Sequence, residues 1–293
     1  MPSPPSLPLS SLVQYVFLAA IIYLLAGAPL SNLLGPGTLS GAAESGRGRH
    51  GNRNLSSLNV PASHLACGGH AYKGVHVLSR EPLVVYIEGF LSRAETEWVV
   101  NVSSPHYEPS TIWTAGQELL NPAVRKSEKA ALPRDHTVKC IEERARGFQG
   151  WRPFVFIETL WAQRYAVGGH YTYHFDWSMP TPQSGRVSSF MVYLDGNCTG
   201  GGTHFPRLQK PVGSEWCRFV ECDVEEEELR DGVIFKPVAG NAVYWENIRP
   251  DGTGYAESWH AGLPVKSGRK IGMNIWSWLQ VGYVPPTGEE SGL

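Results

Sequence analysis

Tyr165-Ala-Val-Gly-Gly-His-Tyr171-Thr-Tyr-His174-Phe-Asp176 is the stretch on which the fold and the chemistry turn. Its second half is aromatic and β-branched, as a strand is. Positions i and i+2 of a strand face the same side, so His174 and Asp176 project an imidazole and a carboxylate together. His260 follows Asp176 by 84 residues and must arrive from another strand. Two neutral imidazoles and one carboxylate occupy one face of a divalent iron and leave the opposite face open. The same donor set also holds zinc in hydrolases. A lone His-x-Asp carries little weight, since ten His and six Asp in 293 residues supply about 0.2 such pairs by chance.

Working outward, short strands rich in β-branched and aromatic residues alternate with Gly/Pro turns at about 154–166, 170–176, 187–195, 203–206, 232–236, 241–246, 257–263 and 270–280. Upstream, Leu83–Ile87 is a short apolar strand. Ser92-Arg-Ala-Glu95 is a capping box opening a helix that turns Trp98, Val99 and Val102 inward. Pro133 opens a second helix with Val138, Ile141, Ala145 and Phe148 at helical spacing. Eight strands after two helices predict a mainly β fold with flanking helices, a two-sheet jelly roll braced on one sheet.

The ends differ from this core. Residues 1–43 carry no charged side chain, and Leu12–Leu25 is densely apolar without a recurring polar face. Residues 1–35 are therefore read as a signal-anchor or transmembrane segment. Ala26-Gly-Ala28 offers small residues for cleavage, but Pro29 follows them. Residues 36–75, rich in Gly, Ser and Asn, have the composition of a flexible stalk. The catalytic domain is expected over 76–282, with 283–293 a disordered tail. Arg47, Arg49 and Arg53 oppose a lumenal domain by the positive-inside rule. Sequons at Asn54, Asn101 and Asn197 favour one. A net charge of −2 gives no nucleic-acid footprint. Five cysteines, none at Cys-x-x-Cys spacing, exclude a disulfide-dense scaffold and a structural zinc. A disulfide between Cys217 and Cys222, or from Cys198 to either, and free buried thiols are equally open.

The block around Tyr165–Asp176 resembles the YxVGxxYxxHxD segment of prolyl 4-hydroxylases. Gly200-Gly-Gly-Thr203-His-Phe-Pro206, Lys236-Pro-Val-Ala-Gly240-Asn-Ala242-Val-Tyr-Trp245 and Ser258-Trp-His260-Ala-Gly-Leu-Pro264-Val-Lys-Ser-Gly268-Arg-Lys270 resemble three further segments, in family order. The resemblance implies a double-stranded β-helix and an iron(II)- and 2-oxoglutarate-dependent dioxygenase using O2, with ascorbate. It implies His174, Asp176 and His260 as iron ligands. Lys270, Tyr165 and Thr203 would hold the distal carboxylate of 2-oxoglutarate. Tyr171, Arg186 and Trp276 would face the substrate. His170 and His204 are read as non-ligands. The implied reaction hydroxylates prolyl residues of a Pro-rich peptide or protein at the 4-position, with release of succinate and carbon dioxide. The same chemistry on a free amino acid or specialised metabolite is the alternative within the enzyme class. A non-catalytic, membrane-tethered binding module is the alternative outside it, and would predict damage to the triad or to Lys270. The family also implies a membrane-anchored enzyme of the endoplasmic reticulum with a lumenal catalytic domain.

Overall fold

The computed structural model describes residues 58–59, 61, 65–114, 117–150 and 152–283. The run Val187–Leu194 is apolar but for Ser188 and Ser189, with no polar alternation, so it needs cover on both faces. It lies in the strand Ser184–Asp195, central in a ten-stranded antiparallel sheet. Gly74–Arg80, Leu83–Glu88 and Ala242–Glu246 lead up to it, and Lys270–Gln280, Trp161–Tyr165, Glu128–Ala131 and Glu108–Pro109 continue beyond. Phe190, Val192 and Leu194 turn toward the helices, and Met191 and Tyr193 turn toward a second sheet.

Two helices brace the first face. Helix α1 (Arg93–Ser103) opens on the expected capping box: Glu95 N–H donates to Ser92 Oγ, and Ser92 N–H donates to the Glu95 carboxylate. Val99 is fully buried, while Trp98 and Val102 pack more loosely against the same core. Helix α2 (His136–Phe148) begins later than Pro133, because the Asp135 side chain accepts the Val138 N–H and sets the start. Val138, Ile141 and Ala145 are buried as expected.

The second sheet runs Val233–Phe235, Thr203–Phe205, His260–Gly262, His170–His174, Arg125–Lys126. Tyr86, Tyr193, Phe205, Phe235 and Trp245 fill the space between the sheets. This is the expected jelly-roll architecture. The strand expected at 154–166 is two, Val155–Glu158 and Trp161–Tyr165. The one expected at 257–263 is only His260–Gly262, preceded by a 3-10 turn over Ala256–Ser258. Edge strand Gly74–Arg80, which has no fully buried position, and Gln117–Leu119, which is exposed throughout, present no buried apolar face for the sequence to signal.

The stalk reading of 36–75 fails at its described residues. Leu58–Asn59 pairs with Val155–Glu158, Leu58 is buried, and Asn59 Nδ2 donates to Glu142. Cys67 is disulfide-bonded to Cys140 on α2. Composition detects neither a two-residue strand nor a long-range crosslink. At the other end Tyr283 packs on Phe156, one residue past the expected domain boundary. Cys217 pairs with Cys222, and Cys198 is free. The segment 1–35 lies outside the described residues, among which no helix is long and apolar enough to cross a membrane.

Candidate metal centre and co-substrate pocket

Antiparallel pairing places His174 directly across from His260, so two distant histidines meet on one face of the second sheet. Their ring centroids are 4.4 Å apart. Asp176 Oδ1 lies 3.6 Å from His174 Nε2 and 4.0 Å from His260 Nε2. The hydrogen bonds behind the two imidazoles fix which atoms are offered. His174 Nδ1 is 2.8 Å from the Thr172 carbonyl and His260 Nδ1 is 2.9 Å from the Ser258 carbonyl. A carbonyl only accepts, so both protons sit on Nδ1 and both Nε2 lone pairs point inward, as metal-binding histidines are held. Burial, then the neighbouring His174, pushes His260 down to about 4, so it stays neutral at neutral pH. Burial alone would raise the Asp176 carboxyl, but the groups packed around it, His174, His260 and the Arg186 guanidinium, outweigh that and hold it well below the usual carboxylate range. Among the described residues these three are the one cluster of His, Cys, Asp or Glu that could hold a metal ion.

Lys270 faces the same cavity, which His174, His260, Tyr165, Tyr171 and Thr203 also line. Strand register sets Lys270 opposite Tyr165. The lysine is 2% exposed, and its Nζ donates to the Gly201 carbonyl at 2.7 Å. Burial pushes its ammonium down to about 8. A buried cation with one neutral acceptor is costly and suits an anion. Thr203 Oγ1 accepts from Tyr193 at 2.9 Å, which leaves its own proton for a ligand. Gly200 and Gly201 both adopt φ +69, and a Cβ on Gly201 would come 3.5 Å from Lys270 Cδ. The positive φ, and the 2.5 Å that a Cβ on Gly200 would leave to the Pro264 carbonyl oxygen, are what require glycine in this turn. The donor set and this cationic pocket fit iron(II) and a dicarboxylate keto acid, and argue against the hydrolase reading of the triad.

Of the substrate-side trio, Tyr171 lines the cavity, while Arg186 and Trp276 pack around Asp176. Tyr171 stacks on the His174 ring at 3.7 Å, with Arg125 4.6 Å over the tyrosine ring. A register shift between Tyr171 and His174 brings both to the cavity although they are three residues apart. Arg186 is committed within the protein. Its Nε and Nη2 pair with Glu158 at 2.7 and 2.8 Å, and its Nη1 donates to the Asp176 carbonyl at 2.8 Å. Trp276 lies under that guanidinium at 4.0 Å and donates Nε1–H to Asp176 Oδ2 at 3.0 Å. Both therefore touch Asp176, one through its backbone and one through its carboxylate. His204 is fully buried between the Tyr173 hydroxyl and the Asp231 carbonyl, and His170 bonds backbone carbonyls. Both imidazoles spend their ring nitrogens on protein groups.

Sequence reasoning missed Glu158, which holds Arg186, Tyr193, which donates to Thr203, and Ser189, which donates to Asp176 Oδ2. Glu158 was visible as a lone carboxylate closing an apolar strand, and Ser189 as a hydroxyl inside a doubly buried one.

Comparison with known proteins fits this geometry. Residues 160–278 match the family model of the 2OG-Fe(II) oxygenase superfamily. Probable prolyl 4-hydroxylase 3 of Arabidopsis thaliana is 31% identical over 218 residues, 70% of this chain and 72% of the relative. The chain belongs to the prolyl 4-hydroxylase family. It is a 2-oxoglutarate-dependent dioxygenase. Prolyl 4-hydroxylase 5 of the same plant is 29% identical over 77% of this chain and 81% of its own length. A viral collagen prolyl hydroxylase from Paramecium bursaria chlorella virus 1, solved with 2-oxoglutarate, aligns with TM-score 0.50 at 26% identity, over 67% of this chain and 96% of that one.

Proposed function

We propose that this prolyl 4-hydroxylase family member hydroxylates prolyl residues, at the 4-position, in Pro-rich peptides or proteins. The observation that carries the reading is the cavity lined by His174, His260 and the buried Lys270, with Asp176 Oδ1 3.6 Å from His174 Nε2 beside it. His174, Asp176 and His260 would hold iron(II), which supplies dioxygen activation coupled to conversion of 2-oxoglutarate to succinate and carbon dioxide. Lys270, with the hydroxyls of Tyr165 and Thr203, would anchor the distal carboxylate and fix the co-substrate in one orientation. The apolar walls from Phe205 and Trp245, packed on His260, exclude water from the buried side. Tyr171, on the cavity wall, offers an aromatic edge against which a pyrrolidine ring can pack. A polyproline segment is already extended, so it loses little entropy on entering a groove. Mass spectrometry of Pro-rich peptides incubated with the purified chain, iron(II), 2-oxoglutarate and ascorbate is the test. The expected result is gain of one oxygen on proline, with free proline a poor substrate. Oxidation of a small metabolite and of no peptide would leave the dioxygenase intact and overturn the prolyl assignment.

The same reading places residues 1–35 as a membrane anchor of the endoplasmic reticulum, with the catalytic domain lumenal. In support, residues 1–43 are uncharged, the sequon residues Asn101 and Asn197 are exposed, and two disulfides bind the domain together. The chain should stay with membranes after alkaline washing, resist protease in intact vesicles and shift on glycosidase treatment. Soluble cytosolic protein with unmodified asparagines would overturn the localisation.

A further inference from the structure

We propose that Ser189 and Asn247 are positioning residues that select which Asp176 oxygen is offered to the metal. The inference rests on the iron-triad reading above. Ser189 Oγ is 2.7 Å from Asp176 Oδ2, and Asn247 Nδ2 is 2.9 Å from Ser189 Oγ. Ser189 and Asn247 are both fully buried. The direction of this chain follows from donor capacity alone. An ionised carboxylate only accepts, so the Ser189 hydroxyl spends its one proton on Asp176. It can then only accept from Asn247, which requires the amide nitrogen to face it and turns the amide oxygen away.

That orientation has a visible cost. Among the described residues the buried Asn247 Oδ1 has no hydrogen-bond partner, an arrangement proteins seldom keep. It is kept here because the opposite orientation would compete for the Ser189 proton. The backbone holds Asn247 in place from both sides: its N–H donates to the Val187 carbonyl at 2.8 Å and its carbonyl accepts from Tyr255 N–H at 2.9 Å. Trp276 Nε1 adds a second donor to the same Oδ2 at 3.0 Å. With Oδ2 occupied twice, Oδ1 alone faces the imidazoles, 3.6 and 4.0 Å away. Asp176 is thereby held as a one-oxygen ligand, which keeps the remaining positions open for co-substrate and dioxygen.

The test is cobalt(II) binding to the purified full chain without oxygen, by equilibrium dialysis and visible absorption, with circular dichroism as the folding control. Asp176→Ala should lose most affinity, and Ser189→Ala should weaken binding about 10–100-fold, as loss of an outer hydrogen-bond partner does. Ser189→Thr, which keeps the hydroxyl, should bind within about threefold of the parent, well inside that loss. Asn247→Leu should weaken binding in the parent and change nothing further in a Ser189→Ala background, since both act through one proton. Should Ser189→Ala fail to fold, Asn247→Leu alone carries the test. Parent-like affinity in Ser189→Ala or in Asn247→Leu, or a Ser189→Thr as weak as Ser189→Ala, would overturn the proposal. Parent-like affinity in Asp176→Ala would instead overturn the triad on which it rests.

Discussion

Replacing Lys270 by alanine should cripple co-substrate binding while leaving the metal site intact. The side chain is 2% exposed, so solvent screens little of its charge, and among the described residues its one hydrogen-bond acceptor is the Gly201 carbonyl. Removing one partner of a buried, hydrogen-bonded charge pair costs about 2–5 kcal/mol. At about 1.4 kcal/mol per factor of ten, 2-oxoglutarate should bind roughly 30- to 4,000-fold more weakly. Lys270→Arg should rescue only in part, because the guanidinium is longer and planar. The pH dependence has a defined sign. Burial lowers the free lysine to about 8, and a bound carboxylate raises it again by favouring the ammonium. About nine-tenths of the lysine is charged at pH 7 and about one-tenth at pH 9, so affinity should fall about tenfold over that interval. Binding at pH 9 should take up close to one proton. Anaerobic titration calorimetry of cobalt-loaded protein, in two buffers of different ionisation enthalpy, measures both quantities. A 2-oxoglutarate dissociation constant in Lys270→Ala within about threefold of the parent would refute the reasoning, as would an affinity independent of pH.

His174→Ala, Asp176→Ala and His260→Ala should each abolish succinate production and sharply weaken metal binding, because a two-point chelate remains; full turnover in any one with added iron would sink the assignment. Arg186→Ala should cost about 3–5 kcal/mol of stability in urea unfolding, since it strands the Glu158 carboxylate, which is only 15% exposed. The double change Arg186→Met with Glu158→Met should recover most of that loss. Parent stability in Arg186→Ala with only a raised peptide KM would return Arg186 to direct substrate contact. Removing the Cys67–Cys140 bridge by serine substitution at both ends should destabilise the domain by about 4 kcal/mol, and removing Cys217–Cys222 by about 2 kcal/mol, because 73 residues separate the first pair and 5 the second. Equal midpoint shifts in the two reduced variants would contradict the chain-entropy reasoning.

The sequence by itself determined the elements whose signal is local. Period-two spacing placed His174 and Asp176 on one strand face, the Ser92–Glu95 box marked the start of α1, and the β-branched and aromatic run at about 187–195 marked a strand. Ordered motifs added the distal histidine and Lys270, which no local pattern could join to the pair. Only the tertiary structure decided what depends on partners far along the chain. The pairing of His174 with His260, the commitment of Arg186 to Glu158 and Asp176, and the donors fixed on Asp176 Oδ2 join residues 10 to 100 positions apart. Composition likewise read 36–75 as a free stalk, where strand pairing at Leu58–Asn59 and the Cys67–Cys140 bridge tie it to the domain. Local propensity acts through neighbours in sequence. A buried charge or hydroxyl takes its role from whichever group the folded chain sets within hydrogen-bond reach, and that distance is fixed only when the sheets close.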